Sequence, residues 1–320
     1  MNYRELIRQL TPQTGAGEAQ AIVRWVMEER FGLTQTDLLL GKDTTLSADD
    51  RTEFEKIAFR LLSGEPVQYI LGFADFCGHH FHVTPDVLIP RPETEDLVNE
   101  AIAITRQKNC DNPLKDYPSS IQYPGTPSPI HVLDLCTGSG CIAISLALAL
   151  PEVHIVGVDI SEPALAVARD NATRLGALNV EFFQQDILQS IQSFNSSSRA
   201  SSLDASSARR LATLHTGRTF QLLTANPPYV RTSESSEMSS TVLDHEPHLA
   251  LFVPDDDPLL FYRAIARIAC CTLLPHGHFL LEINTALHEE TRQLFTAAGF
   301  HNLQIINDRY DRPRILLGEA

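Results

Sequence analysis

Ile130-His131-Val132-Leu133-Asp134-Leu135 runs directly into Cys136-Thr137-Gly138-Ser139-Gly140, and that turn opens the apolar stretch Cys141 to Leu150. The first run is apolar, partly β-branched and short, which is the pattern of a parallel strand buried on both faces. The last is compatible with a helix. Glycines at a strand-to-helix turn let the backbone approach a ligand closely, and the helix N-terminus presents unpaired N–H groups. A second apolar run, His154 to Val158, ends in Asp159, 19 residues beyond Gly140. That spacing suits a carboxylate that accepts the hydroxyls of a ribose. A third run, Val180 to Gln184, ends near Asp186. Acids and glycines gathered at strand C-termini predict a ligand site on an open, doubly wound α/β sheet.

Gly138-Ser139-Gly140-Cys141-Ile142-Ala143 also satisfies the dinucleotide pattern G-x-G-x-x-A, so the turn alone admits an NAD enzyme. Two features favour another ligand. Asp134 lies on the approach to the glycines, where it is expected to face the ligand; a carboxylate there repels a pyrophosphate and suits a sulfonium with its α-amino group. Downstream, the run Phe220 to Ala225 leads into Asn226-Pro227-Pro228-Tyr229. Consecutive prolines cannot continue a central strand, and Pro227 biases Asn226 away from the helical region, so the chain leaves the sheet as a stiff corner. The Asn226 side-chain oxygen and the Pro227 carbonyl can each accept one proton of a planar –NH2 group. Asn-Pro is also an ordinary turn signal. Beside an upstream nucleotide-type turn, the ligand reading is the stronger, and S-adenosylmethionine fits better than a dinucleotide.

Together, Asp134-x-Cys136-x-Gly138-x-Gly140, Asp159, Asp186 and Asn226-Pro-Pro-Tyr229 resemble the motifs of class I amino-methyltransferases. Pro66-Val-Gln-Tyr-Ile-Leu-Gly72 and Leu88-Ile-Pro-Arg-Pro-Glu-Thr-Glu95 narrow the resemblance to the release factor glutamine methyltransferases, the HemK/PrmC family. It covers most of the chain from about Pro66, and the helical N-terminus more loosely. It implies a Rossmann-like α/β sheet with helices on both faces. It also implies methylation of the side-chain amide of the glutamine in the Gly-Gly-Gln loop of peptide chain release factors. Cofactor contacts are implied for Asp134, Cys136, Thr137, Gly138, Ser139, Gly140, Asp159, Asp186, Ile187 and Asn226. Asn226, Pro227 and Tyr229 are the implied catalytic residues, with Pro228 and Arg91 also binding substrate. Arg91 is expected either at the site mouth or in an ion pair with Glu93 or Glu95. Two departures stand out: Cys136 replaces a usual glycine, and Ile187 follows Asp186 where an aromatic residue is common.

The remaining sequence sets the boundaries. A chain of 320 residues accommodates two domains, and a formal net charge of −15 counts against nonspecific binding to nucleic acid, which needs Lys and Arg against phosphate. Residues 1–66 read as a helical substrate-recognition domain, with helical spacing in Ile22, Val23, Trp25, Val26 and in Phe54, Ile57, Ala58, Leu61. Ser47 is its clearest N-cap candidate. Residues 67–83 read as a β-hairpin linker, with strands Tyr69–Phe76 and Phe81–Val83 about a turn at Cys77-Gly78. Residues 84–320 form the methyltransferase domain, closing with strands near Phe279–Ile283, His301–Ile306 and Arg314–Leu317. Two low-complexity stretches, 109–129 and 189–217, are expected to be mobile insertions. The six cysteines show no C-x-x-C spacing and suit reduced thiols of a cytoplasmic protein; Cys270-Cys271 is expected in a core helix. His79, His80 and His82 lack partner ligands at metal spacing, so no metal is expected. With no secretory signal and no long apolar run, the expectation is a cytoplasmic monomer that uses no membrane.

Three alternatives share part of this pattern. An adenine methylase of nucleic acid shares Asn-Pro-Pro-Tyr but is disfavoured by the acidic balance. A noncatalytic scaffold is disfavoured by the intact set of acids and glycines. A glutamine methyltransferase of a ribosomal protein tends to carry Arg-Ser-Pro where this chain has Arg91-Pro92-Glu93.

Overall fold

The computed structural model describes residues 1–111, 130–189 and 219–320. Of the two expected insertions, all but 109–111 and 189 lie outside the described residues.

Five helices lead the chain: α1 (Tyr3–Thr14), α2 (Ala16–Phe31), α3 (Gln35–Leu39), α4 (Ala48–Leu62) and α5 (Val67–Leu71). Ser47 caps α4 as expected, its Oγ accepting the Asp50 N–H at 3.1 Å. Apolar faces of α1, α2 and α4 close one core through Leu6, Leu10, Val23, Met27, Phe54 and Ile57.

Helix α5 corrects the reading of Tyr69 as the start of a strand. Pro66, pre-set in φ, leads into the helical turn, which ends at Gly72. Val67, Ile70 and Leu71 complete the helical core. The Tyr69 hydroxyl donates instead to the Val87 carbonyl at 2.6 Å. Tertiary burial has outweighed the β-preference of Tyr and Ile. The hairpin is therefore β1 (Phe73–Phe76) and β2 (His79–His82). Cys77 and Gly78 turn it with φ of 49° and 77°, the left-handed pair that a type I′ turn needs.

The main sheet contains β3 (His131–Leu135), β4 (His154–Asp159), β5 (Val180–Gln184) and β6 (Phe220–Ala225), in close agreement with the apolar runs. A small pair, β7 (Val230–Arg231) and β8 (Phe252–Val253), stands apart. Strands β9 (Leu273–Glu282), β10 (His301–Asn307) and β11 (Pro313–Glu319) complete a seven-stranded sheet of order β10-β11-β9-β6-β3-β4-β5. The strands from β9 to β5 are parallel, whereas β11 is antiparallel to both its neighbours.

Helices α6 (Thr94–Asp111), α7 (Cys141–Ala149), α8 (Glu162–Leu175), α9 (Ser240–His245), α10 (Leu260–Thr272) and α11 (His288–Ala297) complete the α-helices of the described residues. Alternate residues of the strands divide between two cores. Leu133, Leu135, Val156 and Phe279 pack with Ile265 and Ile268 of α10 and Phe295 of α11 on one face. Val132, Ile155, Leu222 and Leu280 pack with Leu97 of α6 and Ile142 and Leu146 of α7 on the other. Cys270 and Cys271 lie on α10, but Cys270 is exposed: the core stripe of that helix is carried by Ile265, Ile268 and Ala269. No helix of the described residues is long and apolar enough to cross a membrane.

Strand order reverses at β3, which has β4 on one side and β6 on the other. A sheet of this kind leaves its crevice there, beyond the C-terminal ends of the strands.

Candidate active site

Each chain segment that leaves the sheet at that reversal contributes to one cavity. From the β3–α7 turn come Cys136, Thr137, Gly138 and Ser139; from the end of β4, Asp159, Ile160 and Ser161. Gln185, Asp186, Ile187 and Leu188 follow β5, and Asn226 and Pro228 follow β6. The wall also includes Asp86, Val87, Leu88, Pro90, Arg91 and Thr94, and further along the chain Pro247, Leu249, Ala250 and Phe261.

The turn is held by its own chemistry. Cys136 has φ of 58°, so an L-residue occupies left-handed backbone where the family pattern expects glycine. Burial, aided by Asp159, Asp134 and Asp186 around it, pushes the Cys136 thiol well above its ordinary range, so it stays protonated. Gly140 starts α7 with φ of 80°, and a Cβ there would meet Ile144 Cδ1 at 2.8 Å and Phe182 Cζ at 3.2 Å. It is a packing glycine. At Gly138 a Cβ would meet open space.

Asp159 joins the second strand to the turn. Its Oδ2 accepts the Gly138 N–H at 2.9 Å and its Oδ1 the Ser161 N–H at 2.9 Å. Burial raises its pKa, opposed by these backbone donors. Asp186 accepts the Leu188 N–H at 2.8 Å.

Comparison with known proteins now decides the family. A family model described as the PrmC N-terminal domain matches residues 4–72, and a methyltransferase domain matches residues 128–215. A release factor glutamine methyltransferase from Bacteroides thetaiotaomicron is 38% identical over 301 residues, spanning 93% of this chain and 92% of that protein. One from Flavobacterium psychrophilum is 34% identical over 320 residues, spanning 98% and 97%. The chain belongs to the release factor glutamine methyltransferase family.

As a member of that family the chain is a methyltransferase of the S-adenosylmethionine-dependent class. The cavity suits a cationic cofactor. Asp159 and Asp186 stand in its wall, and Arg91, the cation there, is already paired with Glu246 at 2.6 Å. With Asp86 also in the lining, a pyrophosphate would meet three carboxylates and little compensating charge.

The methyltransferase site differs from the sequence reading at four residues. Asp134 does not face the cavity. It is fully buried, and its oxygens accept the Thr137 hydroxyl at 2.6 Å and the Thr224 hydroxyl at 2.8 Å. Register explains this: Asp134 sits opposite Thr224 within the β3–β6 ladder, one residue short of the strand end. Burial pushes its pKa up to about 7, against the pull of the two hydroxyls. Gly140 is behind the wall, as its packing contacts require. Pro227 is buried and outside the wall residues, whereas Asn226 and Pro228 are among them. Tyr229 is also outside: it packs on the main core, and its hydroxyl donates to Glu282 Oε1 at 2.9 Å.

Three residues were missed. Glu246 is buried and accepts from both Arg91 and the Ile89 N–H, so Arg91 pairs neither with Glu93 nor with Glu95. Thr94 donates its hydroxyl to Glu282 Oε2 at 2.7 Å, and Asn226 Nδ2 donates to Thr94 Oγ1 at 3.3 Å. Glu282 is itself buried at the end of β9. An acid closing an apolar strand was the signal that found Asp159, and it would have found Glu282 too.

Proposed function

We propose that this chain transfers the methyl group of S-adenosylmethionine to the side-chain amide nitrogen of the glutamine in the Gly-Gly-Gln loop of peptide chain release factors. The observation that carries this reading is the presence of Asn226 and Pro228 in the same cavity wall as Asp159 and the glycine turn, in a chain of this family. The cofactor supplies an electrophilic methyl group; the chain must supply a positioned nitrogen. A carboxamide nitrogen is a weak nucleophile, because its lone pair is delocalised into the carbonyl. Asn226 Oδ1, in the cavity wall, is the acceptor for one of its protons, and the backbone carbonyl of Pro227, whose residue lies outside that wall, is assigned the other. Accepting both fixes the plane of the amide and favours positive charge developing on nitrogen. Holding that nitrogen in line with the methyl group in a water-poor site supplies much of the remaining rate.

Support for a protein partner comes from the rest of the chain. The net charge of −15 disfavours nucleic acid. The N-terminal helices, assigned here to substrate recognition, expose Leu39, Leu40 and Phe59. The test is mass spectrometry of a purified release factor incubated with enzyme and isotopically labelled S-adenosylmethionine. One labelled methyl group on the Gly-Gly-Gln glutamine is expected. Labelling of a ribosomal protein or of adenine instead would replace this reading.

A further inference from the structure

The side chain of Asn226 has two ends of nearly equal size and opposite hydrogen-bonding character. To accept an amide proton from a substrate, its oxygen must be presented and its nitrogen must be satisfied elsewhere. Packing cannot choose between the two orientations, because a half-turn about Cβ–Cγ leaves the shape unchanged. Hydrogen-bond polarity can.

That polarity is traceable through three residues. Burial pushes the Glu282 carboxyl upward, opposed by the Thr94 and Tyr229 hydroxyls and by Arg314; in the ionised form that these groups favour, it has no proton to give. It therefore accepts twice, from the Tyr229 hydroxyl at 2.9 Å and from the Thr94 hydroxyl at 2.7 Å. Thr94 has one hydroxyl proton, and once this is committed to Glu282 its oxygen can only accept. Asn226 meets that oxygen with Nδ2, at 3.3 Å. The direction of donation thus runs from Asn226 to Thr94 to Glu282, and Oδ1 is the end of the amide that Thr94 does not hold. Thr94 and Glu282 are both at most 2% exposed, so water does not compete freely for these groups.

We propose that Thr94 and Glu282 are positioning residues that set the orientation of the Asn226 carboxamide, so that its oxygen rather than its nitrogen meets the substrate amide. This rests on the reading of Asn226 as the acceptor for the substrate glutamine. Glu282→Gln is informative because it keeps the shape and reverses the polarity. A glutamine can keep its oxygen toward Tyr229 and donate its nitrogen to Thr94, which frees the Thr94 proton to be donated to Asn226. The Asn226 oxygen would then turn to Thr94, and its –NH2 would confront the –NH2 of the substrate. Thr94→Val removes the link without changing size, and Thr94→Ser retains it.

The experiment measures kcat and KM for an intact release factor, and cofactor affinity by calorimetry, in the full-length enzyme and in Thr94→Val, Thr94→Ser, Glu282→Gln and Asn226→Ala. In Thr94→Val and Glu282→Gln, kcat is expected to fall about tenfold or more, with KM and cofactor affinity within about threefold of the parent. Thr94→Ser should recover most of the rate. Should Glu282→Gln fail to fold, the Thr94 pair carries the test alone. Normal kcat in Thr94→Val, or a loss shared equally by kcat, KM and cofactor affinity, overturns the proposal. The outcomes also separate the two levels. An active Asn226→Ala removes the acceptor reading itself, whereas an inactive Asn226→Ala beside an active Thr94→Val removes only the positioning role.

Discussion

Asp159 Oδ2 accepts the backbone N–H of Gly138 at 2.9 Å, tying the end of the second parallel strand to the turn that follows the first. A carboxylate has about four acceptor positions, and the backbone N–H groups of Gly138, Ser161 and Ile160 draw on some of them. The others suit ribose hydroxyls. Asp159→Ala should weaken S-adenosylmethionine binding by about 1–3 kcal/mol, the usual consequence of unmaking hydrogen bonds to a charged group. Calorimetry that finds unchanged affinity would remove Asp159 from the cofactor contacts.

Asp134 gives a pH-dependent prediction. Its pKa is pushed up to about 7 from an ordinary value near 4, chiefly by burial, with the Thr137 and Thr224 hydroxyls and the Ala143 N–H opposing and Asp159 adding to the rise. Between these values the native protein binds more protons than the unfolded chain, so this group's contribution to stability falls as pH rises. Above the upper value the loss is complete; below about pH 4 it vanishes, because both states are protonated. Asp134→Asn should therefore be more stable than the parent at pH 8, by on the order of 2–4 kcal/mol at 1.36 kcal/mol per unit. The difference should close by pH 4. Denaturant titrations across this range decide the matter, and a variant that is less stable at pH 8 than at pH 4 relative to the parent refutes the assignment.

The two glycines of the turn should respond differently to the same methyl group. Gly140→Ala combines left-handed backbone with contacts to Ile144, Ala168 and Phe182 at 2.8–3.2 Å. A loss of roughly 2–4 kcal/mol is expected from strain and overpacking together. Gly138→Ala has the backbone cost alone, about 1–2 kcal/mol, because no atom lies within 4 Å of its Cβ. Urea midpoints of the two variants would show the order.

Arg91 pairs with a Glu246 side chain that is 1% exposed. Removing the cation leaves a buried carboxylate whose remaining donor among the described residues is the Ile89 N–H, at 3.3 Å, so Arg91→Ala should destabilise by about 3–5 kcal/mol. Arg91→Ala combined with Glu246→Gln should recover much of that stability, since a neutral amide needs no counter-charge. If activity returns together with stability, Arg91 is structural. If stability returns without activity, Arg91 also touches the substrate.

Much of the fold could be read from the chain because parallel strands are buried on both faces and appear as unbroken apolar runs. Strands β4 and β6 match such runs closely, whereas β5, at the sheet edge, is only half-buried and is broken by Glu181; Asp159 is legible through its spacing from the glycines. Other features depend on geometry that one sequence does not express. Tyr69 and Ile70 have strand preferences, yet the space left by the N-terminal helices takes them as a helical turn. Asp134 lies in a run that reads the same whether its side chain faces ligand or ladder; only its register opposite Thr224 settles the question. Thr94 and Glu282 are 188 positions apart, beyond the reach of any local pattern. Arg91 finds Glu246 across 155 positions and passes over two nearer acids.

The pairing of β3 with β6 divides this site along a seam that the covalent chain does not need to cross locally. Gly138, Asp159 and Asp186 lie on one side in sequence, with Asn226 and Glu282 on the other. A chain divided between β5 and β6 would place the cofactor's acids on one polypeptide and the Asn-Pro-Pro-Tyr corner on the second. Neither piece could methylate alone. Activity would return only when four backbone registers, Val132–Leu222 to Leu135–Ala225, are re-formed. Methyl transfer in such a pair would serve as an enzymatic counter of strand association.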